Sequence, residues 1–335
     1  MTSMSYADVT ALPPEWTWQW WLPVGQVVLL GGDSGIGKGY LIADTAARIT
    51  RGIPFIDGSP SPAPGHVIIV GPEDDPQYST VHRLKAAGAE MSRVHDFTYP
   101  RPPTDPDHDL EFQLPEDADL LDAEIKRIEK ETKEKVRLVV LDPLGAISSV
   151  SLRAPRQVSR SIMRPMMRIA NFTDTTILVV NHVNKRPGKK GRIDKDEIAG
   201  AKDLTNRARH VIGVTLDDTG QYRTVEVIKS NLAQAGVKKF VYTITGDWPT
   251  THVEIANVAV DAITHKPQIR DILLEYVTKH PYRDVAAIAD GTKLPPRSVR
   301  NGLTELVNDD VITRVERGVT VKYTVKDLAA KRKRN

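Results

Sequence analysis

The sequence predicts an α/β protein: a parallel sheet with an antiparallel extension, followed by a smaller unit of helices and a hairpin. Three observations carry this. Apolar runs of strand length, VVLL, HVIIVG, VRLVVL and TTILVV, alternate with segments of helical spacing, as in a sheet covered on both faces. Beyond residue 210 come strand-like segments without helices between them, HVIGVTL, YRTVEVIK and KKFVYTIT, which read as the antiparallel extension. Near residue 262 that pattern ends, and residues 267–328 hold three helical segments and two strands.

Bulk properties bound the function classes. A chain of 335 residues favours one large and one small unit, and a 40% hydrophobic composition supplies a real core. The formal net charge is only +3, so nucleic-acid affinity would rest on local patches. No cysteine is present, which excludes disulfides, thiolate zinc sites and cysteine nucleophiles. The first residues, MTSMSYADVT, lack the basic-then-apolar order of a signal peptide, and no run approaches the roughly 20 apolar residues of a spanning helix. A soluble, cytoplasmic protein with no membrane partner is expected.

In chain order, WTWQWW (residues 16–21) holds four of the five tryptophans. It reads as a packed edge on the core, or as a platform near a nucleotide base or a neighbouring subunit. VVLL is a buried strand, GGDSGIGK the turn after it, and LIADTAARIT a helix. That is the context a phosphate-binding loop requires. The loop comprises Gly32, Asp33, Ser34, Gly35, Ile36, Gly37 and Lys38, followed by Gly39 and Tyr40. Position 39 departs from the pattern G-x-x-x-x-G-K-[ST], whose last hydroxyl sits on Mg²⁺. HVIIVG (66–71) leads to an acidic triplet, Glu73, Asp74 and Asp75, and then to a helical stretch, TVHRLKAAGA. Residues 100–119, rich in proline and aspartate, read as a loop, and DLLDAEIKRIEKETKEK as an amphipathic helix. VRLVVL ends at Asp142; RSIMRPMMRIANF is a helix whose methionines belong to the core; TTILVV ends at Asn181 and His182.

Each candidate thus stands at the carboxyl end of a predicted parallel strand, the edge where open α/β sheets bind ligands. Backbone N–H groups of residues 32–38 can wrap phosphates, with Lys38 reaching the outer ones. Asp142 is either a metal-ordering carboxylate or a helix cap ahead of Pro143. Glu73 is a candidate for orienting the attacking water and, with Asp142, for holding the metal, though the triplet leaves a choice among its members. His182 is either a γ-phosphate contact or a satisfied polar residue. Six of the eleven residues in KRPGKKGRIDK (185–195) are basic. Lys185, Arg186, Lys189, Lys190 and Arg192 either grip a nucleic-acid backbone or form a solvated surface.

The segments GDSGIGKGYLIADTAARITRG, VIIVGPEDDP, HRLKAAGA, RLVVLDPL, LVVNHVNK and AGAKDLTNRARHVIGV stand in an order that resembles RecA-like P-loop ATPases of the RepA type. These are hexameric replicative helicases of plasmids and related AAA ATPases of phage and mobile elements. The resemblance spans about residues 15–245 and implies a RecA-like P-loop NTPase core, with ATP and Mg²⁺ bound between subunits of a ring. It implies that Lys38 is the phosphate lysine, Glu73 the catalytic glutamate, Asp142 the strand-end aspartate and His182 the γ-phosphate sensor. Arg209, or its neighbour Arg207, matches the arginine inserted into the adjoining subunit's site. The bland reading of both arginines is a surface ion pair. Gly39 departs from the family pattern, which bears on hydrolysis more than on ATP binding.

Residues 267–330 are expected to form the second domain, after an ATPase domain over 1–260. PQIRDILLEYVTKHP, DVAAIADGT and PPRSVRNGLTELVNDDVI are three helices, and ITRVERGVTVKYTV is a hairpin around Arg317 and Gly318. This resembles a winged helix-turn-helix, in which Arg297, Ser298, Arg300 and Asn301 would read duplex DNA, with Arg314 and Arg317 on the wing. Such modules also dock proteins. The tail at 331–335, KRKRN, adds backbone affinity or only solubility. Three functional readings follow: a DNA-stimulated ATPase motor of the helicase or translocase kind, with single-stranded DNA passing through a ring; an ATP-dependent DNA-binding or loading protein with little hydrolysis; and a recombinase-like filament.

Overall fold

The computed structural model describes residues 5, 10, 12–102, 104–106, 110–182, 202–232, 238–256, 258, 269–317 and 320–326. They fall into two compact units, one up to residue 258 and the other from residue 269 onward. The strands of the first unit are β1 (Trp16–Trp18), β2 (Leu22–Pro23), β3 (Val27–Gly32), β4 (His66–Val70), β5 (Val94–Asp96), β6 (Val136–Leu141), β7 (Thr176–Asn181), β8 (His210–Leu216), β9 (Arg223–Ser230), β10 (Lys239–Thr245) and β11 (His252–Ile255). Its helices are α1 (Lys38–Arg51), α2 (Val81–Ala86), α3 (Ala118–Thr132), α4 (Pro155–Gln157), α5 (Arg164–Thr173) and α6 (Lys202–Arg207).

Nine of these strands form one sheet in the order β11-β10-β9-β8-β3-β7-β6-β4-β5. From β8 to β5 every pairing is parallel; from β8 to β11 every pairing is antiparallel. The antiparallel extension therefore begins one strand later than the sequence suggests. HVIGVTL is β8, parallel to β3, with Val28 opposite His210 and Gly32 opposite Val214. Helix α6 immediately precedes β8, and helical crossovers are how parallel neighbours are connected.

Alternation along the central strands loads both faces. Val27 and Leu29 join a core with Leu121 and Ile125 of α3 and Met166 and Ile169 of α5. Val28 and Leu30 join another with Leu41, Ile42 and Ile49 of α1 and Leu84 of α2. Met163 and Met166 are fully buried, as expected of core methionines.

The tryptophan stretch proves to be packing. Trp18 stacks on Phe55 with ring centres 4.8 Å apart, and Trp21 meets Phe240 edge-on at 5.0 Å. Both buried indoles donate to the Asp57 carboxylate, at 3.1 and 3.0 Å, which satisfies their only polar atoms. Trp16 lies edge-on to His210 at the start of β8.

The second unit contains α7 (Ile269–Lys279), α8 (Val285–Thr292), α9 (Pro296–Asn308) and the antiparallel hairpin β12 (Ile312–Arg317) and β13 (Thr320–Val325). It has its own core of Leu273, Val277, Ile288, Val299, Leu303, Leu306 and Ile312. Gly302 lets α7 and α9 approach closely: a Cβ there would lie 2.6 Å from Leu273 Cδ1. Asp284 caps α8 by accepting from the Ala287 N–H at 2.9 Å.

Asp57→Ala leaves two indole N–H groups without their acceptor. The expected loss is about 1–3 kcal/mol of unfolding free energy, read as a lower urea midpoint followed by tryptophan fluorescence.

Candidate nucleotide site

The parallel register brings the ends of β3, β7, β6 and β4 to one edge of the sheet. Gly31 is level with Asn181, Leu141 with Val179, and Val70 with Leu141. Backbone bonds tie the strand ends together just past the ladder: the Asp142 N–H donates to Val70 O at 2.9 Å, and the Leu144 N–H to Val180 O at 3.0 Å. The loop from Asp33 to Gly37, His182, Asp142 and Glu73 therefore share that edge.

The loop itself is tightly braced. Gly32 faces Val214 of β8 so closely that a Cβ would lie 2.9 Å from its carbonyl oxygen, and backbone does not yield. Gly37 has φ +97° and packs on Ile244 of β10, where a side chain would collide. Arg223 of β9 donates from Nε to Ile36 O at 3.1 Å, and Tyr242 of β10 from its hydroxyl to Gly37 O at 3.3 Å. The antiparallel extension is thus the loop's buttress. Asp33, Ser34 and Gly35 remain exposed, Ile36 is buried, and helix α1 starts at Lys38 with its positive end toward the loop. Gly39 and Tyr40 are half-buried in its first turn.

Lys38 is buried, and its ammonium donates to Gly32 O at 2.9 Å and Asp33 O at 2.8 Å. Desolvation lowers its pKa, opposed by the negative charges of Asp142, Asp33 and Glu73. The same burial raises Asp142 to about 6, against the attraction of Lys38 and with the help of Asp74 and Glu73. Asp142, Glu73, Asp74, Thr80 and Arg83 line one cleft next to Gly39. His182 is half-buried, and its Nδ1 is buried without a partner among the described residues. A cluster of one ammonium, one guanidinium, three carboxyls and an orphaned imidazole nitrogen beside a glycine-rich loop suits a polyanionic ligand whose charge is offset on one side.

A family model, the AAA domain, matches residues 2–188. This chain belongs to the AAA-domain family. Its parallel sheet and strand–loop–helix element are those of a P-loop AAA-type ATPase, and membership implies ATP as the nucleotide, usually with Mg²⁺. No curated protein matches the sequence. Among the described residues, no helix is long and apolar enough to cross a membrane.

Other candidates lie elsewhere. Arg207 and Arg209 are exposed just before β8, level with the start of β3 and not with its loop end. They do not join the Lys38 cluster within one chain. In the second unit, Arg297, Arg300 and Asn301 are exposed on α9, Ser298 is half-buried, and Arg314 is exposed on β12 opposite Tyr323. Lys185, Arg186, Lys189, Lys190, Arg192, the Arg317 side chain and residues 331–335 lie outside the described residues. Two groups escaped the sequence reading: Arg83, present only within the string HRLKAAGA, and the Arg223–Tyr242 buttress. Neither carries a local signal, because each acts on a loop distant in sequence.

A carboxyl raised in the folded state binds protons more tightly there than in the unfolded chain. Stability is therefore lost as pH climbs from about 4 through about 6, and levels off above. Asp142→Asn is expected to be more stable than the parent at pH 7, by on the order of 2 kcal/mol, and equal to it near pH 4. Urea melts across that pH range check this.

Proposed function

We propose that this protein is an ATP-hydrolysing, DNA-associated motor of the RepA-like helicase or translocase kind, acting in DNA replication as a homo-oligomeric ring. The observation that carries the reading is the meeting of Lys38, Glu73, Asp142 and His182 at one sheet edge, while Arg207 and Arg209 stand at the far end of the sheet. In a ring, that spacing suits a site completed by the neighbouring copy's arginine. Lys38 exchanges its loop carbonyls for phosphate oxygens and offsets their charge. Glu73, exposed at the sheet edge, orients a water and takes its proton as the γ-phosphoryl group leaves. His182 donates from its free nitrogen to the γ-phosphate and, standing three residues ahead of the basic segment 185–195 in the chain, links nucleotide state to DNA grip.

The second unit supports a winged-helix reading: three helices, a hairpin, and α9 with basic and amide side chains opposite its buried face. Duplex DNA would meet Arg297, Arg300 and Asn301 there, with Arg314 on the wing. A second functional reading, an ATP-dependent DNA-binding or loading protein with little turnover, is favoured by Gly39, which removes a hydroxyl from the loop.

Phosphate release with and without single-stranded DNA separates the two. The motor reading expects stimulation by DNA and loss of turnover by about a hundredfold or more in Lys38→Ala. It also expects about a thousandfold loss in Arg209→Ala, with nucleotide binding kept. Background turnover in the parent protein, together with ATP-dependent DNA binding, would sink the motor and leave the loader. For the second unit, Arg297→Ala and Arg300→Ala should each reduce the slope of log affinity for duplex DNA against log salt by about one.

A further inference from the structure

Position 39 is where the phosphate-loop pattern places a hydroxyl, and this chain has glycine. The space beside it is filled. A Cβ built on Gly39 would lie 2.8 Å from Nη1 of Arg83 and 3.5 Å from its Cζ. Arg83 comes from α2 and is pinned there. Nη1 donates to Asp74 at 2.5 Å, and the guanidinium lies over the Tyr40 ring at 5.2 Å from its centre. The side chain is 23% exposed. Its Nε is buried with no partner among the described residues, so one donor of the fork is unspent.

The donor set at this point suits a metal poorly. The loop hydroxyl that would ligate the metal is missing, and a fixed cation stands in its place against the loop. The same arrangement suits phosphate well. A guanidinium stays charged at any working pH, and its planar fork matches phosphate oxygens. A compact ammonium on the other side, Lys38, already faces the loop.

We propose that Arg83, positioned by Asp74 and Tyr40 in the space that Gly39 leaves, supplies the charge compensation a loop-bound metal ordinarily gives, so that this site binds nucleotide with little dependence on Mg²⁺. The proposal rests on the ATP-site reading and goes beyond it. Glycine at 39 is then a requirement of the arginine and not a defect of the loop: any side chain there would push the guanidinium off its seat.

The test measures binding of a fluorescent, non-hydrolysable ATP analogue in Mg²⁺ and in excess EDTA. In the wild-type protein, affinity in EDTA should stay within about fivefold of its value in Mg²⁺. Arg83→Gln should lose at least about tenfold in EDTA and become strongly Mg²⁺-dependent; Arg83→Lys, which keeps charge but not the fork, should fall between. Gly39→Ser alone should weaken binding in both media, and the double variant Gly39→Ser/Arg83→Gln should regain it in Mg²⁺ only. A wild-type affinity that collapses by about a hundredfold or more on chelation overturns the proposal without any variant. So does an Arg83→Gln protein that binds in EDTA as the wild type does. Absence of binding in Mg²⁺ as well would instead refute the ATP-site reading itself, so the two failures are distinguishable.

Discussion

The parallel register around β3 is the constraint on which the rest depends. Because β7 runs alongside β3, β6 alongside β7 and β4 alongside β6, all in the same direction, each ends at the edge where the phosphate loop begins. Residues separated by most of the unit's length, Lys38, Glu73, Asp142 and His182, therefore meet without any direct bond selecting them. Interdigitated apolar side chains on the two faces of the sheet hold that register, since a one-residue slip would move every side chain to the opposite face and break its packing against the helices there. The site is inherited from the core.

On top of that frame lies an unfavourable electrostatic arrangement kept in balance. Lys38 and Asp142 are each drawn toward neutrality by desolvation, and each is partly held charged by the other. Arg83 and Asp74 form a second opposite pair beside them. Burial of this kind costs stability, and its use is that incoming phosphate meets donors that are already oriented and poorly screened. The buttress of Arg223 and Tyr242 gives the antiparallel extension a purpose in the same terms: it fixes the loop carbonyls, so the loop N–H groups keep their direction.

Much of this was legible in the chain. The four apolar strands, the loop, the helix after it and the strand-end residues could be read because strand runs and glycine spacing are local signals. The core role of the methionines and the packed-edge reading of WTWQWW also hold. What escaped was non-local or short. Strands β5 and β11 span three and four residues and carry no pattern of their own. The parallel direction of β8 depends on the short helix before it, which its apolar pattern does not announce. The TVHRLKAAGA segment was readable as a helix, but the wider π-type turn over Pro76–Thr80 that leads into it was not. That the helix aims Arg83 at Gly39 was not readable at all.

By itself, the sequence determined the kind of fold: a strand–glycine loop–helix unit within an α/β sheet, charged residues at strand ends, and a second unit of three helices and a hairpin. Those properties depend on spacing along the chain, which any reader of the chain can count. The tertiary structure decided what the odd residue means. Whether Gly39 is a loss or an accommodation depends on which side chain occupies the neighbouring volume. That is set by how α2 packs beside α1 through Leu84 and the Arg83–Asp74 pair, and close packing in three dimensions leaves no periodic trace in one.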